Sequence, residues 1–124
     1  MSRHHTFVAM ALWSATLLAT SLSLAQSGSS GRPVVKEIEQ NDRVRVYEAT
    51  FNPGDVSPSA KRPMRVVYAL KGGVLERTYV DGTKEKIIWK SGETRIMQEE
   101  RDYAIKNVGK TKIDLIVTAL KETK

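Results

Sequence analysis

The residues of this chain that could do chemistry are chiefly basic, and three of them lie close together. In the stretch GDVSPSAKRPMRVVYALKGG, Lys61, Arg62 and Arg65 fall between a turn and an apolar segment. The chain has no cysteine, and its two histidines, His4 and His5, lie near the N-terminus. The chain after His5 contains no histidine to act as the base, so Ser-His-Asp and Cys-His catalysis are excluded there. Metal sites built on imidazole or thiolate are excluded for the same reason.

Carboxylates are the second group with chemical potential. The acidic stretch QEERD, Gln98–Asp102, offers oxygen ligands that suit Ca²⁺. It lacks the alternating Asp/Asn and Gly pattern of a dedicated calcium loop, so we favour a solvated turn before the strand that contains Tyr103. A metal-independent enzyme would need two inward carboxylates as acid and base, such as Glu76 and Glu93. Nothing in their spacing supports that reaction.

The first residues have the organisation of a secretory signal peptide. MSRHH supplies a positive start, TFVAMALWSATLLATSLSL supplies an apolar run, and small residues follow at Ser23 and Ala25. We expect a signal peptide over residues 1–25, a flexible tether over 26–33 and a domain over 34–124. The expected location is periplasmic or secreted, in a bacterium. An uncleaved anchor is the alternative, because the apolar run is nearly long enough to span a bilayer.

The charge of the exported part is mildly positive. The chain has 20 Lys and Arg against 14 Asp and Glu, and loss of Arg3 with the signal peptide leaves a net charge of +5. Such a surplus suits small anions, polyanions or an anionic membrane surface, although in most proteins it serves only solubility. Nucleic acid is not expected as a partner, because no nucleic-acid-binding motif is present. No stable membrane association is expected after signal cleavage.

Apolar residues in the exported part recur with a period of two, which is typical of β-strands. Asn52-Pro53-Gly54-Asp55 predicts a turn, and Asp81-Gly82 predicts a tight hairpin. RVVYALK is nearly continuous in apolar residues and predicts a strand that is buried on both faces. We predict about eight strands, in VVKEIE, RVRVYEATF, RVVYALK, VLERTYV, KEKIIWK, ETRIMQ, DYAIKN and KIDLIVTAL.

Short strands at this spacing predict an all-β fold, a small antiparallel β-barrel or jelly roll. The interior of such a fold holds side chains or one small ligand, so its mouth is the first place to look for function.

Two stretches resemble the motifs of small single-domain cupins. PGDVSPSAKRPMRVVYALKGG is similar to the first cupin motif, and WKSGETRIMQEERDYAIKNVG is similar to the second. The matching positions are mainly glycines, strand residues and one asparagine, namely Gly54, the Pro63 region, Gly72, Trp89, Gly92, Glu93, Asn107 and Gly109. This resemblance implies a cupin-like jelly roll over most of the exported chain.

The same resemblance implies that the metal-binding residues of the family are replaced. The two histidine positions of the first motif fall on Ala60 and Arg62, its glutamate position falls on Arg65, and the histidine position of the second motif falls on Tyr103. A cation there would face two protonated guanidinium groups, so no metal and no other cofactor is expected.

What the resemblance implies instead is a binding site for a small anion. Arg62, Arg65 and Tyr103 would converge at the mouth, where two guanidinium groups and a phenol suit a carboxylate, phosphate or sulfate. Lys61, between the two inward positions, is expected on the rim. We therefore predict an exported, metal-free binding module without catalytic residues.

Two other interpretations of the domain stay open. Arg62 and Arg65 could pair with Glu76, Glu93 or Glu100 as a solvated rim, which would imply no ligand. The domain could also be an interaction protein that forms a homodimer through a sheet face.

Overall fold

The computed structural model describes residues 31–122, and the regular structure in this range is entirely β-strand. Nine strands follow one another: β1 (Val34–Gln40), β2 (Val44–Phe51), β3 (Val56–Arg62), β4 (Arg65–Lys71), β5 (Gly73–Tyr79), β6 (Lys84–Trp89), β7 (Thr94–Met97), β8 (Glu100–Asn107) and β9 (Ile113–Leu120). The prediction of an all-β fold is confirmed. The predicted signal peptide and residues 26–30 of the predicted tether lie outside the described residues.

The strands form two antiparallel sheets. The five-stranded sheet has the order β1-β2-β9-β4-β7, and the four-stranded sheet has the order β3-β8-β5-β6. Apart from the pairs β1–β2 and β5–β6, strands that follow each other in sequence, such as β4 and β5, lie in different sheets, as in a jelly roll.

In the described range, no helix has the length and apolar character needed to cross a membrane.

The hydrophobic core lies between the two sheets. It is built from the alternate, inward side chains of strands in both sheets, including Phe51, Val67, Leu75, Trp89 and Ile113. Because successive side chains of a strand point to opposite faces, every second residue of these strands contributes to the core. Trp89 belongs to this core, and Met97 packs against it.

Strand β4 differs from the prediction that both of its faces are buried. Its inward residues are buried, whereas Val66, Tyr68 and Leu70 are 41%, 40% and 44% exposed. The prediction was wrong because β4 lies in a two-layer structure without a third layer to cover the outer face of its sheet. An apolar run is therefore not sufficient to identify a strand that is covered on both sides.

Strand β3 was not predicted. It contains Pro58 and several polar residues, and it lies at the edge of the four-stranded sheet, where proline is tolerated. Its pairing with β8 shifts register twice, between Ser57 and Ala60 and again between Ala60 and Arg62. Its sequence, VSPSAKR, also lacks the apolar residues from which the other eight strands were predicted.

The predicted hairpin and the pair of glycines after β4 are both present. Gly82 has a φ of 86° in the turn between β5 and β6, a conformation that glycine adopts without strain. Gly72 lies so close to the β6 end that a Cβ there would overlap the carbonyl oxygen of Trp89. The chain thus crosses between the sheets at a point where only glycine fits.

Asn107 ties the turn regions of both sheets together. This residue is 1% exposed, and its Nδ2 donates to the carbonyl oxygens of Phe51 at 3.0 Å and Thr111 at 2.9 Å. Its Oδ1 accepts from the backbone N–H of Gly109 at 3.0 Å. A single buried amide therefore satisfies three backbone groups that would otherwise be costly to bury.

Candidate ligand-binding site

The core is not completely filled by its own side chains. A cavity of about 120 Å³, which we call the inner cavity, remains between the sheets. Most of its lining is apolar, with contributions from Val67, Leu75, Ile87 and Trp89. Three arginines also line it, and among the described residues that line it there is no carboxylate and no histidine. We call Arg62, Arg65 and Arg77 the arginine cluster.

Tyr103 is at the centre of the arginine cluster. Its side chain is almost fully buried, with 1% exposed, and its hydroxyl accepts a hydrogen bond from Nη2 of Arg65 at 2.6 Å. The guanidinium carbon of Arg62 lies 4.3 Å from the centroid of the Tyr103 ring, and that of Arg77 lies 4.6 Å from it. These two contacts are cation–π interactions, and together with the hydrogen bond from Arg65 they hold three positive groups around Tyr103.

The counter-charges of the cluster are unequally distributed. Arg77 donates from Nη1 to Oε2 of Glu100 at 2.6 Å, and Glu85 lies 3.8 Å from the same nitrogen. In residues 31–122, neither Arg62 nor Arg65 forms an ion pair with a carboxylate. Arg62 donates instead to the carbonyl oxygens of Ala60 and Tyr103, and Arg65 donates to that of Pro63. Two guanidinium groups are thus partly desolvated with only neutral acceptors.

Arg77 has one donor left over. Its side chain is 6% exposed, and its Nε has no hydrogen-bond partner within the described part of the chain. A buried N–H of a charged group without an acceptor is costly, and native structures rarely retain one without a reason. The unused donor belongs to a residue that lines the inner cavity.

The electrostatic surroundings of Arg62 disfavour its positive charge. Burial lowers the pKa of Arg62, and the positive charges of Arg65 and Arg77 lower it further, against the opposing effect of Tyr103. A guanidinium nevertheless stays protonated at physiological pH. The cluster therefore carries a charge that a bound anion would stabilise.

The pKa of Arg77 is shifted in the opposite direction. Burial lowers its pKa, but the hydrogen bond to Tyr79 and the negative charge of Glu100 outweigh burial, so that the pKa of Arg77 is raised. Arg77 is therefore already compensated in charge, although not in hydrogen bonds.

A second, outer depression adjoins the cluster. This outer groove has a volume of about 420 Å³ and shares Tyr47, Arg62 and Arg65 with the inner cavity. Its remaining lining includes Lys61 and Lys121. Arg62 and Arg65 thus lie on the boundary between the groove and the cavity, which we call the mouth.

The structure brings together the three side chains that the sequence predicted as one site. Arg65 is 7% exposed and Arg62 is half-buried, so neither is the solvated rim that was the alternative. The carboxylates considered as their partners bind other cations: Glu76 pairs with Lys84, Glu93 with Arg95 and Glu100 with Arg77.

Lys61 is separate from the cluster. Its side chain is 61% exposed and pairs with Glu99 at 3.0 Å, on the outer side of the mouth.

The acidic stretch that was considered for Ca²⁺ is divided among such pairs, and Glu100–Asp102 begin β8 rather than forming a turn. No group of three potential metal-binding side chains occurs between residues 31 and 122.

Sequence reasoning missed Arg77. A signal for it was present, because Leu75, Arg77 and Tyr79 alternate in VLERTYV and all three are buried. A charged residue at an inward position of an otherwise apolar series indicates a side chain with a partner inside the fold.

Neither the family models nor the curated proteins contain a match to this sequence. Solved structures do match its fold. A cupin domain from Bordetella pertussis Tohama I is similar with a TM-score of 0.66 and 21% identity, over 73% of this chain and 95% of that one. An RmlC-like cupin family protein with a double-stranded β-helix fold from Methanocaldococcus jannaschii is similar with a TM-score of 0.57 and 15% identity, over 75% of this chain and 84% of that one.

A cupin superfamily protein from Desulfitobacterium hafniense DCB-2 is also similar, with a TM-score of 0.56 and 17% identity over 73% of this chain and 79% of that one. The resemblance that the two sequence motifs indicated is therefore confirmed at the level of the fold. The domain is a cupin-like jelly roll.

The residues at the mouth do not fit a metal ion of the kind that this fold commonly holds. Arg62 and Arg65 offer only N–H donors, and a cation about 4 Å from a guanidinium would be repelled by about 4 kcal/mol at an effective dielectric of 20. Ala60 is exposed and does not line the inner cavity. The donor set of the site suits a negatively charged group.

Proposed function

We propose that this chain is an exported, cupin-like binding module that holds a small anion at the mouth of its inner cavity. Arg62, Arg65 and Tyr103 are the ligand-binding residues, and Arg77 supports them from the cavity wall. No metal and no other cofactor takes part in this binding. The carrying observation is the pair of desolvated guanidinium groups, Arg62 and Arg65, without a carboxylate partner in the described range.

The hydrogen bond between Arg65 and Tyr103 supports a role for the phenol. Since the Tyr103 oxygen accepts from Arg65 at 2.6 Å, its own hydrogen is free to be donated. No acceptor for that hydrogen is found among residues 31–122. An anion at the mouth would receive one charge-assisted bond from each guanidinium and one from the phenol.

A thermal-shift and calorimetric titration with acetate and inorganic phosphate, at constant ionic strength, tests this proposal. Because a ligand that binds only the folded state stabilises it by mass action, an anion should raise the melting temperature of the wild type. Arg65→Met should weaken anion binding at least about tenfold, since a hydrogen bond to a charged group contributes about 1.5–3 kcal/mol.

Arg43→Gln is the matched control, because Arg43 is exposed and lines neither the cavity nor the groove. An equal response of the wild type, Arg65→Met and Arg43→Gln would show that the anions act on surface charge alone, and the proposal would be wrong.

Export is tested separately. If residues 1–25 are a signal peptide, protein recovered from the periplasm or the medium should begin near Gln26 by mass spectrometry. Recovery of the full-length chain from the membrane fraction would favour the uncleaved anchor.

The homodimer stays a prediction with some support of its own. On the outer face of the five-stranded sheet, Val66 of β4 lies opposite Ile96 of β7, and both are exposed. Light scattering on the purified protein measures the oligomeric state directly.

The alternative of a carboxylate-based enzyme has less support, since Glu76 and Glu93 do not line the inner cavity.

A further inference from the structure

The inner cavity has two chemically different ends, and the strand registers define them. Arg65 lies opposite Ala119 and Met97 in the five-stranded sheet, while Tyr103 lies opposite Tyr79 in the four-stranded sheet. Arg65 and Tyr103 are hydrogen-bonded to each other. The cross-strand neighbours of both residues therefore lie at the same end of the cavity, the basic mouth.

Away from the mouth, the inward positions become apolar on β4 and β9, and on β5 beyond Arg77. In the five-stranded sheet, Arg65 is followed by Val67 on β4, and Val117 by Leu115 on β9. In the four-stranded sheet, the inward residue next to Arg77 is Leu75, which pairs with Ile87. The deep end of the cavity is thus bounded by hydrocarbon side chains and by the Trp89 ring.

We infer that the ligand is a compact apolar monocarboxylate, whose carboxylate lies at the mouth and whose hydrocarbon body fills the deep end. This inference rests on the proposed anion site and adds the chemical class of its ligand. A carboxylate has both oxygens on one side and can accept from the guanidinium groups and the phenol together, while its other side carries no polar atom. The polar and apolar ends of such a ligand thus match the basic mouth and the apolar deep end of the cavity.

Inorganic phosphate or sulfate would match the cavity less well. Their oxygens point in all directions, whereas the donors of the site are Arg62, Arg65, Arg77 and Tyr103 at one end. The oxygens directed to the deep end would be desolvated against a mainly hydrocarbon lining without a charged donor, which is unfavourable.

The volume of the inner cavity limits the size of the hydrocarbon body of the ligand. A dry apolar cavity of about 150 Å³ in another protein binds benzene, which has six carbon atoms. The inner cavity, at about 120 Å³, is slightly smaller. Branched carboxylates with about five carbons should therefore fit, and long fatty acids should not.

The test is calorimetric titration of the purified protein with isovalerate, acetate, inorganic phosphate and isovaleramide, the neutral analogue of isovalerate. Isovalerate has three more carbons than acetate, and each buried methylene contributes about fourfold in affinity. We therefore expect isovalerate to bind about 60-fold more tightly than acetate. Isovaleramide should bind much more weakly than isovalerate, because it lacks the charge that the arginine cluster stabilises.

Two variants locate the two halves of the ligand. Arg65→Met should weaken both carboxylates. Ala49→Leu adds three carbons to the cavity lining and should weaken isovalerate more than acetate; its melting temperature, measured without ligand, reports whether it folds. The wild-type titrations decide the ligand class even if this variant is unstable.

The outcomes separate the two proposals. If acetate or phosphate binds as tightly as isovalerate and Arg65→Met abolishes binding, the anion site stands and the apolar ligand class is wrong. If isovaleramide binds as well as isovalerate, or if Arg65→Met changes nothing, the anion site itself is wrong. Saturable binding of isovalerate, weaker for both acetate and the amide and dependent on Arg65, supports both.

Discussion

Nη2 of Arg65 lies 2.6 Å from the hydroxyl oxygen of Tyr103, so a buried guanidinium from one sheet is fixed by a buried phenol from the other. This bond crosses the mouth of the inner cavity. It orients Arg65 before any ligand arrives, which reduces the entropy that binding would otherwise cost. The bond also occupies an oxygen lone pair of Tyr103 and leaves its hydrogen available.

Tyr103→Phe should therefore affect stability and binding together. Removal of the hydroxyl leaves a buried Arg65 donor without its acceptor, and we expect the free energy of unfolding to fall by about 1–3 kcal/mol. Carboxylate affinity should also fall, by about tenfold, because one donor to the anion is lost. Urea denaturation and calorimetry measure the two effects. A stable variant with unchanged affinity would show that the hydroxyl has no part in the site.

Glu100→Gln should change stability and binding in opposite directions. Glu100 is the close counter-charge of Arg77, at 2.6 Å, and its removal raises the positive potential at the mouth. We expect the free protein to be less stable and carboxylates to bind several-fold more tightly. Titration with acetate at low and high salt checks this. Glu99→Gln is a suitable control, because Glu99 pairs with the exposed Lys61 outside the cluster. Weaker binding by Glu100→Gln would contradict the proposed charge balance.

Asn107→Ala should be strongly destabilising without any change in the arginine cluster. The variant leaves the carbonyls of Phe51 and Thr111 and the N–H of Gly109 without their partner. We expect a loss of about 3 kcal/mol or more in the free energy of unfolding, since each unsatisfied buried group costs about 1–3 kcal/mol. Asn107→Asp should not rescue it, because an ionised carboxylate cannot donate to the two carbonyls. A loss below about 1 kcal/mol in urea denaturation would mean that water replaces the amide.

The stability of the fold should decrease in acid, in part through Glu93. Its hydrogen bond from Arg95, and a second one from the Lys90 backbone, hold the pKa of Glu93 below its ordinary value of 4.5. A carboxyl with a lowered pKa in the folded state stabilises the protein above the pKa of the unfolded chain. That contribution is lost as the pH falls from about 4.5 through the folded-state pKa.

Glu93→Gln should therefore show a shallower loss of melting temperature between about pH 5 and pH 3 than the wild type does. Glu48→Gln serves as a comparison on a different strand, because Glu48 belongs to β2 and forms no ion pair within the described residues. Parallel pH profiles for the wild type and Glu93→Gln would mean that Glu93 does not contribute to acid unfolding.

Much of the fold could be predicted from the sequence. Period-two alternation, and for β4 a nearly continuous apolar run, identified eight of the nine strands, and Asp81-Gly82 identified the hairpin between β5 and β6, because these signals are local. Strand β3 was missed, since its proline and its polar residues leave no apolar alternation in the sequence. The exposed outer face of β4 was missed because coverage of a sheet depends on the number of layers, which no single strand reveals.

The site was predicted only in part. Arg62, Arg65 and Tyr103 were grouped through the resemblance to cupin motifs, and the structure places them in contact, while their binding of an anion stays a prediction. Arg77 was overlooked, and Glu100, which was one of three partners considered for Arg62 and Arg65 in the alternative interpretation, pairs with Arg77. These pairings join β4, β5 and β8, and they depend on the distances between inward side chains of different strands.

The sequence by itself determined which chemistries are possible beyond residues 1–25. A segment without histidine or cysteine, rich in short alternating strands, excludes imidazole and thiolate sites and favours a jelly roll. Only the tertiary structure decided which charges lie inside. The register between strands sets whether a residue points to the core or to solvent, and it placed three arginines around Tyr103, of which only Arg77 forms ion pairs in the described range. Burial then makes this imbalance of charge costly, and an anion of matching shape would relieve it.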